Sequence, residues 1–168
     1  PGTKLYLRGF VPAIMEFAGW VLDEAIKSGK KRLYFLSRDG YQIYLAACRL
    51  ADLRKLSVEC RYLHVSRYAM RIPAYHLDMK SSLDRICAGG MEVTLERILK
   101  RGALTDEEAE KVANRVGRKD TCKDILSRHQ IAELKDILGS EPLFLNYVKR
   151  HSMEAYENAM GYLQQEGL

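Results

Sequence analysis

The fold of this chain is decided by the stretch Leu33-Tyr34-Phe35-Leu36-Ser37-Arg38-Asp39-Gly40. Its first four residues are large apolar or aromatic side chains without helical spacing, which is typical of a short strand buried on both faces of a sheet. Its last four are polar residues and a glycine, which end strands and form turns. The stretch therefore predicts one buried strand with a polar carboxyl end.

Helical periodicity flanks this strand on both sides. Apolar residues recur every three or four positions from Phe10 to Ile26, and Gly29 stands where such a helix would end. The same spacing returns over residues 41–56, where Asp39 and Gln42 have the spacing of a capping box. These patterns predict a leading helix and a second helix that follows the strand.

A second strand is predicted at residues 59–65, ending at Ser66-Arg67. Strand, helix and strand form a βαβ unit, so the two strands are expected to be parallel, with one helix on each face. Two parallel strands leave two edges, and sheets buried on both faces usually contain more strands. We therefore expect an incomplete Rossmann-like sheet that later chain or a second copy of the protein completes.

The chain beyond Pro73 contains no further convincing strand. Thr105 and Glu108 have capping-box spacing, and Pro142 marks a helix start. The predicted division is a core at residues 1–74 and a helical region at 75–168 that is an insertion or annex of the same domain. The predicted helices of that region lie near 79–87, 92–101, 105–116, 121–138 and 142–165.

Composition indicates a globular α/β chain whose charge is unevenly spread. Residues 1–80 hold fourteen Lys and Arg against seven Asp and Glu, whereas residues 81–168 hold thirteen against fifteen. An anionic partner is therefore expected in the basic half. The four cysteines show no Cys-x-x-Cys pair, which predicts reduced thiols, a cytoplasmic protein, and no metal site or cofactor. No stretch is apolar enough to predict a membrane span.

Both predicted strands end in Ser-Arg, and this repeated ending carries the main functional hypothesis. Ligands of open α/β sheets bind beyond the carboxyl ends of the strands, where helix amides and their partial positive charge are available. Two guanidinium groups would clamp a phosphate or carboxylate, two hydroxyls would donate hydrogen bonds, and a glycine would let the ligand approach. The predicted ligand residues are Ser37, Arg38, Asp39, Gly40, Ser66 and Arg67.

A purely structural role accounts for the same residues as well as an anion site does. Asp39 and Ser66 would cap helices, and Arg38 or Arg67 would pair with a carboxylate. His64 is interpreted as a hydrogen-bonded core residue of the second strand. No recognised nucleic-acid motif is present, so a nucleic-acid partner is not expected.

The two strand endings also resemble a known family. Residues 33–41, together with Tyr62-Leu63-His64-Val65-Ser66-Arg67-Tyr68-Ala69 and Pro73, are similar to the region that follows the phosphatase core in predicted hydrolases of the haloacid-dehalogenase superfamily from bacterial surface-polysaccharide gene clusters. The similarity covers residues 10–73 well. It implies a multidomain parent protein and a phosphorylated or nucleotide-linked sugar as the ligand.

This chain departs from that superfamily at its catalytic signature, because it contains no Asp-x-Asp. The resemblance therefore implies an accessory domain that binds an anionic sugar without catalysis of its own. One alternative is a protein-interaction module that docks the parent's phosphatase domain or another partner. Its docking surface would be the last helix, with Leu143, Phe144, Tyr147, Met160 and Leu163 exposed. A second alternative is a phosphate-ester hydrolase in its own right.

Overall fold

A computed structural model describes residues 6–168 of this protein. The chain divides into two compact units, the first ending at Ser66 and the second running over Arg67–Leu168. Residues 67–74, which the sequence assigned to the first region, belong to the second unit. The reason is tertiary packing, because the 3₁₀ turn Ile72–Ala74 packs against the last helix of that unit.

The first unit is a mixed α/β structure with a leading helix. A π-helical turn at Tyr6–Phe10 precedes its four elements, which are α1 (Val11–Lys27), β1 (Arg32–Leu36), α2 (Tyr41–Arg54) and β2 (Glu59–Leu63). The two strands are parallel over their whole length, which confirms the predicted βαβ connection. Gly29 follows α1 with a φ of +66°, so the predicted helix stop is also confirmed.

The predicted arrangement of one helix on each face of the sheet is wrong. Helices α1 and α2 pack against each other, and Leu22, Ala47 and Phe35 belong to a single apolar cluster. On the opposite face Glu59 accepts hydrogen bonds from both Arg32 and Arg61 at 2.6 Å, and Leu36 is exposed, while Leu63 is buried. The strands are therefore covered by helices on one face instead of being buried on both.

The second unit is entirely helical apart from turns. Its elements are α3 (Arg67–Arg71), the turn Ile72–Ala74, α4 (Met79–Ile86), α5 (Leu95–Arg101), α6 (Asp106–Arg115), α7 (Arg128–Ser140) and α8 (Pro142–Gln165).

Local capping residues set the starts of these helices. The capping box predicted at Thr105 and Glu108 is confirmed, and α8 begins at Pro142 as predicted. Helix α7 begins seven residues later than predicted, because Ser127 and Gln130 form a reciprocal capping box in front of it. Of the described helices, none is both long and apolar enough to cross a bilayer.

Candidate functional site

The connection from β1 to α2 is a very tight turn at the carboxyl end of the sheet. The Ser37 amide continues the ladder by donating to the Leu63 carbonyl at 2.9 Å, and the Gly40 amide donates back to the Leu36 carbonyl at 3.1 Å. A Cβ at Gly40 would lie 2.4 Å from the Leu36 oxygen. Glycine is therefore required here by close backbone approach, since its φ of −77° is ordinary for any residue.

Arg38 occupies the strained position of this turn. Its φ of +75° lies in the left-handed region, which costs a non-glycine residue roughly 1–2 kcal/mol. Its amide donates to the Tyr62 hydroxyl at 3.0 Å. The side chain is exposed, and its guanidinium has no hydrogen-bond or ion-pair partner among the described residues. Residues held in strained backbone cluster at active sites and ligand clamps.

Asp39 does not cap the helix that follows it. Helix α2 has Gly40 at its N-cap and no side-chain cap, so the capping box predicted at Asp39 and Gln42 is wrong. The tight turn places Asp39 one residue too early to reach the first helical amides. Asp39 is exposed and unpaired within the described part of the chain. The first turn of α2 therefore keeps amides that no side chain satisfies.

The two predicted serines differ in what their side chains do. The Ser37 hydroxyl donates a hydrogen bond to the Val65 carbonyl and ties the two strand ends together. Its proton is used within the fold in this structure, so Ser37 positions the turn, and donation from Ser37 to a ligand stays a prediction. Ser66 is exposed at the end of the first unit.

Arg67 is the first residue of α3 and belongs to the second unit. It is exposed, and its side chain has no partner within residues 6–168. Neither predicted arginine therefore forms the carboxylate pair of the structural explanation. The joint action of Arg38 and Arg67 on one ligand stays a prediction.

Tyr62 is the site residue that the sequence analysis did not select. Its ring contacts those of Tyr41, Tyr44 and His64 at centroid distances of 5.3, 5.5 and 4.9 Å. Its hydroxyl accepts from the Arg38 amide, and no acceptor for its own proton is found among the described residues. The alternating pattern of a strand does not indicate that a tyrosine hydroxyl accepts such a hydrogen bond. The one sequence feature that included Tyr62 is the stretch 62–69 that resembles the haloacid-dehalogenase family.

His64 is exposed and lies just after β2, which ends at Leu63. The interpretation of His64 as a core residue within the second strand is therefore wrong. The chain turns at this point, since the Val65 amide donates to the Leu63 carbonyl at 2.9 Å. Together with Tyr41, whose side chain is 45% exposed, His64 adds aromatic surface beside the Arg38 turn.

The donor groups at the strand ends suit binding of an anion. No group of three or more metal-ligating side chains occurs among the described residues. Burial raises the pKa of the Cys60 thiol to about 11, so it is protonated and unreactive at neutral pH. A guanidinium, a phenol proton and unsatisfied amides are instead the donors that phosphate oxygens accept.

Replacing Arg38 with glycine is expected to stabilise the first unit by about 0.5–1 kcal/mol, because glycine adopts a positive φ without strain. The exposed guanidinium has no native partner in the described residues to lose. Urea unfolding followed by Trp20 fluorescence measures the change, since the single tryptophan lies in this unit.

Arg49→Gly is the matched control for this variant. Arg49 is an exposed arginine within α2, where glycine is expected to cost about 1 kcal/mol. A loss of stability in Arg38→Gly of the same size as in the control would contradict the assignment of strain to Arg38.

A comparison with protein-family models found no match, and a comparison with curated proteins found no similar chain.

Proposed function

We propose that the first unit binds an anionic small molecule, a phosphorylated or nucleotide-linked sugar, at the carboxyl end of its parallel strands. Arg38 is the anion-binding residue, the Tyr62 hydroxyl is a second donor, and Asp39 accepts from a sugar hydroxyl. Ser37 and Gly40 shape the turn that holds Arg38. We expect no catalysis by this chain at the site.

The exposed, unpaired guanidinium of Arg38 is the observation that carries this proposal. A left-handed backbone position disfavours arginine relative to glycine, and the Arg38 side chain makes no hydrogen bond or ion pair with the described residues that would favour arginine here. Binding of an anion by that side chain supplies the reason. The adjacent uncapped turn of α2 adds partial positive charge at the same point.

The sugar part of the proposal is supported by aromatic surface and by the family resemblance. Tyr41 and His64 are exposed around the half-buried Tyr62, and aromatic faces pack against the apolar faces of sugar and nucleotide rings. The hydrolases of the haloacid-dehalogenase superfamily that this chain resembles are encoded in surface-polysaccharide gene clusters, and this is why we propose a sugar as part of the ligand. In this proposal the chain is an accessory α/β domain with an incomplete Rossmann-like sheet.

Thermal shift measurements with inorganic phosphate, glucose 1-phosphate and UDP-glucose test the proposal. A ligand at 100 times its Kd adds about 2.7 kcal/mol to the stability of the unit that binds it. We expect a shift with at least one of these anions and none with glucose. Arg38→Gln is expected to remove that shift, because it removes the charge that the anion requires.

Arg49→Gln is the control for charge alone, since Arg49 is likewise exposed and has no partner in the described residues. It should keep the full ligand-induced shift. Equal shifts in the wild type and Arg38→Gln, or no shift with any of the three anions in a folded protein, would contradict the proposed site.

The docking alternative is less well supported by the last helix. Phe144, one of the side chains on which it depended, is fully buried in the core of the second unit, and Leu143 and Tyr147 are half-buried. Met160 is 38% exposed. The hydrolase alternative predicts turnover of p-nitrophenyl phosphate with magnesium, and we expect none because the chain lacks an Asp-x-Asp nucleophile.

A further inference from the structure

A cleft of about 760 Å³ lies in the second unit, between α4, the loop that follows it and α7. Its size falls in the range of small-molecule sites. The lining is apolar at Leu126, Ile131 and Cys87, which are nearly buried, and at Ala132, which is exposed on α7. None of the ligand residues predicted from the sequence belongs to this cleft.

The loop that forms one wall of the cleft is held in place by two arginines. The Arg101 guanidinium donates to the carbonyls of Ile86 and Ala88, and the Arg97 guanidinium donates to the Glu92 carbonyl at 2.6 Å. These bonds fix the backbone on both sides of Gly89-Gly90. The cleft is therefore preformed, and a ligand would not have to order this loop on binding.

The loop that lines the cleft also presents an apolar side chain to solvent. Met91 lines the cleft and is 92% exposed. A methionine adapts its shape to different apolar surfaces, and such side chains are common at binding surfaces. Burial raises the pKa of Cys87 to about 11, so this lining thiol is neutral and adds to the apolar surface.

The charged residues of the cleft leave one positive charge uncompensated. Asp84 and Lys135 form an ion pair with each other. Arg128, at the first position of α7, is exposed and has neither a hydrogen-bond nor an ion-pair partner within the described residues. An apolar lining beside one unpaired guanidinium is complementary to a molecule with an apolar body and one acidic group.

We propose that this cleft is a second binding site, independent of the strand ends, for an amphipathic organic anion. The apolar body of the ligand packs on Leu126, Ile131 and Met91, and its acidic group binds Arg128. Asp84 and Lys135 neutralise each other, so the net positive charge of the cleft comes from Arg128.

Fluorescence titration of the full chain with 8-anilinonaphthalene-1-sulfonate tests this site. This probe joins an apolar ring system to one sulfonate, and N-phenyl-1-naphthylamine has the same rings without the charge. We expect saturable binding of the sulfonate at one site. Arg128→Gln should weaken that binding about tenfold or more, the effect of losing a charge-assisted bond. It should leave the affinity for the neutral probe unchanged.

Two further variants separate this site from other apolar surface. Ala132→Trp fills the cleft from the exposed side of α7 and should abolish binding of both probes, with circular dichroism confirming that the variant is folded. Arg118→Gln removes a charge from the same unit outside the cleft lining and should bind like the wild type. Failure of the wild type to bind, or unchanged sulfonate affinity in Arg128→Gln or in folded Ala132→Trp, would overturn the proposal. An equal loss of both probes in Arg128→Gln would overturn its anionic preference.

Discussion

Replacing Gly40 with alanine is expected to lower the free energy of unfolding of the first unit by about 3 kcal/mol, the upper part of the range for forced overpacking. The new Cβ would lie 2.4 Å from the Leu36 carbonyl oxygen, and that oxygen already accepts from the Gly40 amide. Leu36 is held by its pairing with Leu63 and Gly40 is the N-cap of α2, so the two residues cannot move apart without opening the turn. The same movement displaces Arg38, and ligand binding at the strand ends should be lost with it.

Urea unfolding followed by Trp20 fluorescence measures this change in the first unit. Gly161→Ala is the control, because Gly161 lies within α8 and an added Cβ there meets nothing within 4 Å. That variant should leave the Trp20 transition of the first unit unchanged, since Gly161 belongs to the second unit. Circular dichroism at 222 nm should show the second unit more stable by roughly 0.5–1 kcal/mol, the helix preference of alanine over glycine. Wild-type stability in Gly40→Ala would show that the turn is looser than the close approach requires.

The second large effect is expected at Glu108, which is 7% exposed in the second unit. One carboxylate oxygen accepts from Arg150 and the other lies 2.7 Å from His151 Nε2, while the same group closes the capping box with the Thr105 amide at 3.0 Å. Glu108→Gln keeps the capping geometry and removes the charge. We expect a loss of about 2–3 kcal/mol at pH 7, the value of hydrogen bonds to a charged group.

The loss in Glu108→Gln should depend on pH. Burial raises the pKa of the Glu108 carboxyl, but the Thr105 amide, His151 and Arg150 together lower it by more than burial raises it. The net pKa therefore lies below the usual 4.5. A depressed acid pKa stabilises the fold above the unfolded pKa, and that contribution disappears as the pH falls through the lowered value. The difference between wild type and variant should therefore shrink as the pH falls from about 5 toward 3.

Circular dichroism at 222 nm follows this transition. Glu107→Gln is the matched control, since Glu107 is exposed in the same first turn of α6 and has no partner among the described residues. That change should alter stability by less than about 0.5 kcal/mol. A pH-independent difference between wild type and Glu108→Gln would contradict the assigned role of the carboxylate.

Short-range signals in the sequence were sufficient for several features of the fold. The parallel strands of the βαβ unit were predictable because a single helical crossover favours that direction. The capping box of Thr105 and Glu108 and the stop at Gly29 each depend on a few neighbouring residues. These features are local, so the residue types at fixed spacing determine them.

The same kind of spacing led to a wrong prediction at Asp39, which does not cap α2. The left-handed conformation of Arg38 shifts the helix start to Gly40, and that conformation depends on a hydrogen bond to Tyr62 from the next strand. The placement of α1 and α2 together on one face likewise depends on how Leu22 and Ala47 pack with Phe35. Neither arrangement is encoded in a local pattern.

Residue order and spacing were enough to predict the mixed α/β class, the two Ser-Arg strand endings and the helical character of the second unit. Packing is what bonds Ser37 to Val65, leaves Arg38 unpaired among the described residues, and brings Glu108 to Arg150 and His151. It also assembled the Arg128 cleft from α4, α7 and a loop. The physical reason is that partners distant in sequence meet only after packing, whereas propensity and capping act within a few residues.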